Sequence, residues 1–229
     1  MQLDRFIQLN TPYSRQRVRC LLAEGRVTVA GHVVRDGSVE VDRFIPISLD
    51  NQCLQAAQAY YLMLHKPAGV VSATQHPEHQ TVIDLIPEEL RQGLHLAGRL
   101  DLKTTGLLLL TNDGQWSRRI TQPSSKIAKV YRVTTQDEVA VEAEAVFRQG
   151  IYFGYEDITT QPAELQRLDR YHSRLTLYEG RYHQVKRMFG YFDNEVTELH
   201  RERVGELTLD PDLLPGEFRP LSVAEVALF

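Results

Sequence analysis

The sequence predicts an α+β protein in two parts, a small N-terminal α/β module over residues 1–49 and a larger domain over residues 60–229. Two helical patterns followed by two short β-branched runs predict the module. In the larger domain, apolar runs of strand length alternate with a few helical stretches. We therefore expect a mixed, mainly antiparallel sheet flanked by helices. Residues 50–59 are polar and poor in β-branched side chains, which is typical of a linker.

The composition is that of an ordinary globular protein, with 42% hydrophobic and 24% charged residues among 229. No apolar run approaches the roughly 18 residues that span a membrane, and the N-terminus lacks a secretory pattern. We expect a cytoplasmic monomer without membrane association. Cys20 and Cys53 have no partners at metal-ligand spacing, which favours reduced thiols. The net charge of −4 disfavours indiscriminate nucleic-acid binding, but local basic patches can still contact RNA.

The module begins with two helices. Apolar residues at positions 3, 6, 7 and 9 indicate the first helix, which Asn10-Thr11-Pro12 ends. Ser14 is placed to cap a second helix that runs to about Glu24, and Gly25 provides a left-handed stop. The stretch Arg26–Val34 then predicts two short strands around a glycine turn.

Arginines concentrate in this module, and Arg15 and Arg19 lie one helical turn apart. Scattered arginines usually form a solvated helix face, so solvation and RNA contact both remain open from these residues alone. The acidic residues lie later in the module, which makes its charge asymmetric. The candidate RNA-binding residues of the module are Arg5, Arg15, Arg19 and Arg26.

The larger domain opens with a strand at Tyr60–Leu64 and a turn at Lys66-Pro67-Ala68-Gly69. Lys66 is either a phosphate contact or an exposed structural lysine. Residues 72–93 read as a loop and a short helix. His76 and His79 in that loop have the spacing of metal ligands, but no third ligand is evident, so we expect no metal site.

The central stretch is Ala97–Gly114, in which Asp101 follows Arg99 and precedes a polar turn. The apolar run Leu107–Leu110, closed by turn-forming residues, predicts a buried strand. Asp101 therefore lies on a loop that enters a core strand. An aspartate in such a place is ordinarily a turn residue that bonds the backbone two positions on. The alternative is a reactive carboxylate held by a rigid element.

The remaining elements follow in order. A helix is predicted at Gln115–Thr121, with Trp116 and Ile120 inward, and a second at Glu138–Gln149. Gly180-Arg181 follows a strand and precedes a helix, whose buried stripe contains Val185, Met188, Phe189 and Phe192. Arg181 is therefore expected near the positive end of that helix. The strands are predicted at Lys126–Thr135, Ile151–Tyr155, Pro162–Leu168 and Ser173–Leu177.

Three of these motifs resemble those of the pseudouridine synthases, enzymes that convert uridine in RNA to its C-glycoside isomer. The run G-R-L-D followed by T-T-G-L, at 98–107, resembles the family's catalytic-aspartate motif. Lys129-Val130-Tyr131 is similar to its K-x-Y element, and 179–188 is similar to its E-G-R-x-H-Q-V-x-R-M motif. The N-terminal helices and the run G-R-V-T-V-A-G-H-V-V resemble the S4 RNA-binding domain, although Ala30 stands where that family usually has Asn.

The resemblance implies that Asp101 is catalytic, that Tyr131 is the active-site tyrosine, and that Arg181 pairs with Asp101. It implies no cofactor and no metal. Arg99 would hold a flipped nucleotide by its phosphate. The other candidate RNA contacts in this domain are Lys66, Lys129, Lys186 and Arg187.

The runs are most similar to the branch of the family that modifies small-subunit (16S) ribosomal RNA. The expected partner is therefore ribosomal RNA, in an assembly intermediate of the small subunit. Two alternatives remain open from the sequence: the same chemistry on large-subunit (23S) RNA, and a non-catalytic RNA-binding or ribosome-assembly protein.

Overall fold

The computed structural model describes residues 1–229, which divide into two compact units, Met1–Ala59 and Tyr60–Phe229. None of the helices is long and apolar enough to cross a membrane.

The first unit packs two helices on a four-stranded antiparallel sheet of order β2-β1-β3-β4. The Ser14 hydroxyl caps the second helix by accepting a hydrogen bond from the Arg17 amide at 3.3 Å, and Gly25 ends that helix with φ +73°. Both devices are those that the sequence predicts. The elements are α1 (Leu3–Asn10), α2 (Arg15–Ala23), β1 (Val27–Val29), β2 (His32–Val33), β3 (Ile47–Leu49) and β4 (Gln52–Gln55).

The prediction of a linker over residues 50–59 was wrong in part, because Gln52–Gln55 forms strand β4 and pairs with β3. Asp50 and Asn51 form the connecting two-residue turn, with φ of 51° and 66°. Two successive left-handed residues are what a tight hairpin turn requires, and Asp and Asn tolerate them better than most side chains. The connection between β4 and the first strand of the second unit is residues 56–60.

The second unit is built on a nine-stranded sheet of order β11-β12-β8-β13-β7-β5-β15, with β14 beside β13 and β6 beside β7. All pairs are antiparallel except β13 with β7, which confirms the mixed, mainly antiparallel sheet. The strands of the sheet are β5 (Tyr61–Lys66), β6 (His95–Leu96), β7 (Thr105–Thr111), β8 (Lys129–Thr135), β11 (Glu164–Arg167), β12 (His172–Leu177), β13 (Val196–Val204), β14 (Leu207–Thr208) and β15 (Phe218–Pro220), and a separate hairpin contains β9 (Tyr152–Phe153) and β10 (Ile158–Thr159).

Helices cover both faces of this sheet. One core contains Leu108, Leu110 and Tyr131 together with side chains of α4 and α5. The other contains Leu107, Leu109 and Trp116. Strand β7 is thus buried on both faces, which is why its sequence is a continuous apolar run. The helices are α3 (Gly114–Thr121), α4 (Ala143–Gln149), α5 (Gln184–Gly190) and α6 (Val223–Val226).

Several predicted elements differ from the structure in their boundaries or their type. The helix predicted from Glu138 begins at Ala143, and the strand predicted from Lys126 begins at Lys129, because Lys126 is left-handed with φ 48°. The short helix expected within 72–93 is a single 3₁₀ turn at Glu88–Leu90.

The parallel pairing of β7 with β13 depends on Gly106. This residue has φ +107°, and a Cβ atom there would overlap the backbone carbonyl oxygen of Arg201. Only glycine combines that backbone conformation with so close an approach of two strands. The glycine of the T-T-G-L run therefore allows β13 to lie directly beside the loop that carries Asp101.

Candidate active site

The second unit contains a cleft of about 530 Å³, a volume typical of ligand sites. It is lined by the loop before β7, by β8 and β13, and by the turn that leads into α5. Asp101, Tyr131 and Arg181, the three residues that the sequence predicted as catalytic, all line it.

The carboxylate of Asp101 accepts no hydrogen bond within the protein, although its side chain is only 31% exposed. The turn is closed by the main chain instead, through the Thr104 amide and the Asp101 carbonyl at 3.0 Å. The basic atom beside the carboxylate is His183 Nε2, 3.6 Å from Oδ2, which is too long for a hydrogen bond. The interpretation of Asp101 as a turn residue is therefore wrong, because its side chain does not bond the turn.

Lys66 anchors the loop of Asp101 from below. It is fully buried, and its Nζ donates to the carbonyls of Pro67, Leu102 and Thr104 at 2.9, 3.2 and 2.9 Å. Burial lowers the pKa of Lys66 to about 8, and the negative charge of Asp101 opposes that shift. The prediction that Lys66 contacts a phosphate or lies exposed was wrong, because the loop covers the end of its strand.

Arg201 is a site residue to which the sequence reasoning assigned no role. It is buried, and its guanidinium donates to the carbonyls of Leu107 and Arg99, at 2.8 and 3.3 Å, without a carboxylate partner. Ser72 adds a third anchor, since its hydroxyl exchanges hydrogen bonds with the backbone of Leu100. No sequence signal marks Arg201, because the apolar residues of its strand, Val196, Leu199 and Val204, do not alternate with polar ones.

Tyr131 lies on β8, in register with Leu175 of β12 and Arg201 of β13. It is 8% exposed and lines the cleft, and its hydroxyl makes no hydrogen bond within the protein. The side chain thus offers an aromatic face and an unused polar atom beside the loop of Asp101.

Arg181 pairs with Glu179 and not with Asp101, which corrects the pairing that the resemblance implied. Its Nε donates to Glu179 Oε2 at 2.9 Å. Glu179 is almost completely buried and also accepts from the Gln161 amide and the Gln184 side chain. A buried carboxylate needs such partners, so it holds the nearest arginine. The two terminal NH₂ groups of Arg181 make no hydrogen bond within the protein and stay available to a ligand.

Three further candidate RNA contacts line the cleft: exposed Arg99, half-buried Lys186, and Lys129. Burial lowers the pKa of Lys129, as does the nearby charge of Arg201, and its Nζ donates to the Ile127 carbonyl at 3.0 Å. With Arg181 and Arg201, these side chains give the cleft an excess of positive charge in a protein whose net charge is −4.

Two of the predicted RNA contacts are already engaged with carboxylates. Arg187 lies outside the cleft lining, donates to both oxygens of Glu156 at 2.6 and 2.5 Å, and lies over the Phe153 ring at 3.6 Å. In the first unit, Arg26 donates to Asp50 and Glu24. These ion pairs raise the pKa of each arginine and neutralise its charge locally. The structure leaves the other three candidate arginines of the module, Arg5, Arg15 and Arg19, exposed.

A family model and the named relatives of this chain agree on its family. A family model described as RNA pseudouridylate synthase matches residues 60–191. The chain is 53% identical to a Pseudomonas aeruginosa protein and 44% identical to an Escherichia coli (strain K12) protein, over 99% of each chain, and both are named "Ribosomal small subunit pseudouridine synthase A".

Among solved structures, "Crystal structure of pseudouridylate synthase" is similar with a TM-score of 0.73, 40% identity and complete coverage of both chains. The family match covers more than half of this chain, and the named relatives cover nearly all of it. The chain belongs to the RNA pseudouridylate synthase family.

Proposed function

We propose that this protein isomerises a uridine of small-subunit (16S) ribosomal RNA to pseudouridine, with Asp101 as the nucleophile. The observation that carries the proposal is the unbonded carboxylate of Asp101 in a basic cleft beside Tyr131. The choice of small-subunit RNA rests on the names of the relatives.

The chemistry of this isomerisation suits a site with one available carboxylate. The bond from N1 of the base to C1′ of the sugar breaks, the base turns over, and a bond forms between C5 and C1′. No atom is gained and no electron is transferred, so a single nucleophile can serve, at C1′, at C6, or by stabilising a sugar-derived intermediate. Glycosidases need two carboxylates because they must also activate water.

The second carboxylate of the cleft fits this account. Glu179 is buried and accepts three hydrogen bonds, from Arg181, Gln184 and Gln161. These three bonds fix the carboxylate in the wall of the cleft. Its role is to hold Arg181 at the cleft wall.

The roles of the remaining residues follow from their positions. Tyr131 would stack on the displaced base, and its hydroxyl would remove the C5 or C2′ proton. Arg99 and Lys186 would bind phosphates, and the free terminal groups of Arg181 would contact the RNA backbone. Because the uridine must leave its stack, at a cost of a few kcal/mol, Arg99 would hold the flipped conformation.

The first unit would act as an S4-like RNA-binding module through Arg5, Arg15 and Arg19. The protein would act as a cytoplasmic monomer on an assembly intermediate of the small subunit. Arg26 is omitted from this surface because its charge is paired with Asp50 and Glu24.

The test is carbodiimide-adduct primer extension over small- and large-subunit RNA from a strain that lacks the gene. The strain is complemented with wild type, Asp101→Ala, or the control Asp113→Ala, which alters an aspartate of the same stretch outside the cleft lining. We expect one stop in small-subunit RNA that returns with wild type and Asp113→Ala but not with Asp101→Ala. A stop in large-subunit RNA would overturn the substrate, and no change at any uridine would favour a non-catalytic RNA-binding protein.

A further inference from the structure

Two consecutive aromatic side chains lie face to face at the wall of the cleft. The rings of Tyr182 and His183 are 3.9 Å apart between centroids and inclined by only 19°. Tyr182 is 72% exposed, and its ring packs on no other aromatic or cationic side chain. The outer face of the tyrosine is therefore open to solvent.

This arrangement depends on an unusual backbone conformation. His183 is left-handed, with φ 50° and ψ 29°, which is strained for a residue with a side chain. Consecutive side chains diverge in a strand or a helix, whereas here the two rings stack. Hydrogen bonds between Arg181 and Gln184 in both directions hold the turn, at 3.0 and 3.2 Å.

Neither ring has an evident structural task. His183 occupies the N-cap position of α5, but its side chain caps no amide of the helix. Tyr182 covers no part of the hydrophobic core. Strain that persists without a structural benefit is characteristic of residues that act on a ligand.

The position of the pair defines the kind of ligand. His183 Nε2 lies 3.6 Å from the Asp101 carboxylate, and both rings line the cleft with Arg99 and Lys186. Exposed aromatic faces beside cations are the features on which unpaired bases stack in single-stranded nucleic acids. The buried ring of Tyr131 serves the target base, so the exposed ring is left for another base.

We propose that Tyr182 and His183 form an aromatic shelf that binds the unpaired nucleobase adjacent to the target uridine. The inference rests on the proposed function. When the uridine leaves its stack, the neighbouring base loses a stacking partner, and the exposed face of Tyr182 replaces it. The shelf would thereby lower the cost of flipping and would position the RNA strand relative to Asp101.

The test combines protein variants with an altered RNA. After the target uridine is mapped, small-subunit RNA is assembled by ligation with an abasic nucleotide on its 5′ or its 3′ side. Binding and pseudouridine formation are measured for wild type, Tyr182→Ala and Tyr182→Phe. Tyr191→Ala is the control, because Tyr191 is 62% exposed at the other end of α5 and does not line the cleft.

We expect Tyr182→Ala to weaken binding of intact RNA about tenfold or more, which corresponds to one lost base-aromatic stack. An abasic nucleotide on one side of the uridine should weaken wild-type binding by a similar factor. Tyr182→Ala should bind this abasic RNA as tightly as it binds intact RNA. Tyr182→Phe, which keeps the ring, should restore the binding that Tyr182→Ala loses, and the control Tyr191→Ala should behave like wild type.

The shelf is disproved if Tyr182→Ala binds intact RNA as tightly as wild type does. It is also disproved if the abasic nucleotide weakens binding by Tyr182→Ala by the same factor as it weakens binding by wild type. Failure of the wild type to form pseudouridine in any RNA would instead overturn the proposed function. The abasic RNA could not be designed in that case, but equal binding of intact RNA by wild type and Tyr182→Ala would still disprove the shelf, because that measurement does not depend on the reaction.

Discussion

The two ends of strand β7 each have an aspartate in a polar turn, and the two carboxylates have opposite surroundings. Asp113, after the strand, accepts from the amides of Gln115 and Trp116 at 2.9 and 3.2 Å and from the Tyr61 hydroxyl at 3.0 Å. Asp101, before the strand, accepts nothing. Asp113 caps a helix, whereas Asp101 contributes no bond to the fold. The difference shows that hydrogen bonding, and not local sequence, separates a carboxylate that stabilises the fold from one that is free to contact a ligand.

The loop of Asp101 is nevertheless as firmly held as the turn of Asp113. Its main chain is bonded by Ser72 at Leu100, by Lys66 at Leu102 and Thr104, and by Arg201 at Arg99. Because other side chains fix the backbone, the carboxylate itself is left free in a defined position. Such preorganisation is what a nucleophile requires.

The largest effect is expected for Asp101→Ala. Loss of the proposed nucleophile should lower kcat/KM by about 10⁴-fold or more, while the free energy of unfolding should change by less than about 0.5 kcal/mol, since no bond is lost. Release of tritium from C5 of labelled uridine in the RNA measures the activity, and urea unfolding measures the stability. If the variant were instead clearly less stable, Asp101 would have a structural role and the contrast with Asp113 would fail.

The second effect concerns the buried cation beneath Asp101. Lys66 has a folded-state pKa of about 8, below the roughly 10.4 of an exposed lysine. Below pH 8 it is charged in both states, and burial costs the folded state its full penalty. Between the two pKa values the unfolded state binds more protons, so stability rises with pH, by up to about 3 kcal/mol.

Lys66→Met cannot titrate and should lack this rise. Urea unfolding of both proteins between about pH 7 and pH 10 measures the difference. We expect the free energy of unfolding of the wild type to increase relative to that of the variant as the pH rises. Parallel curves would mean that the lysine is solvated in the native state, and the anchor beneath Asp101 would be weaker than the structure indicates.

A smaller effect, on stability, is expected for Asp113 at the other end of strand β7. Asp113→Ala removes the cap of α3 and the acceptor of the Tyr61 hydroxyl. Loss of an N-cap costs about 1 kcal/mol, within a range of about 0.5–2. Urea unfolding should show this loss, while kcat/KM should stay within about twofold of wild type because the side chain does not line the cleft. A large loss of activity with full stability would reverse the roles of the two aspartates.

The sequence predicted those features that depend on near neighbours. The cap at Ser14, the buried strand at Leu107–Leu110 and the stripe that includes Val185 and Met188 follow from spacing and turn chemistry alone. Strand β4 was missed because it is largely exposed and has no apolar alternation. Its one signal was the pair Asp50-Asn51, which favours a tight hairpin turn.

The errors at the site have a common cause. The partner of Arg181 depends on which of two carboxylates, Glu179 or Asp101, the fold brings nearer, and spacing does not decide this. The burial of Lys66 depends on a loop that begins more than thirty residues later in the chain. The proximity of His183 to Asp101 likewise joins segments about eighty residues apart, so only the tertiary structure reveals it.

The contrast between Asp101 and Asp113 raises the question whether a polar group without a hydrogen bond is by itself a sign of function. A substitution of Thr104 answers it. Its hydroxyl has no hydrogen-bond partner, as the Asp101 carboxylate has none, but Thr104 is only 1% exposed. A buried unpaired hydroxyl costs about 1–3 kcal/mol, so Thr104→Val, which keeps the shape, should leave stability unchanged or raise it by up to about 1 kcal/mol. We expect kcat/KM within about threefold of wild type, because the hydroxyl itself is buried although Thr104 lines the cleft.

Thermal unfolding and the tritium-release assay together decide this case. The expected result would mean that a polar group marks the site only when it is both unbonded and accessible from the cleft, a condition that Asp101 meets and Thr104 does not. A large loss of activity at unchanged stability would show that the loop moves on RNA binding and brings the Thr104 hydroxyl to the substrate. The firmly anchored loop inferred from Lys66, Ser72 and Arg201 would then be a property of the free protein alone.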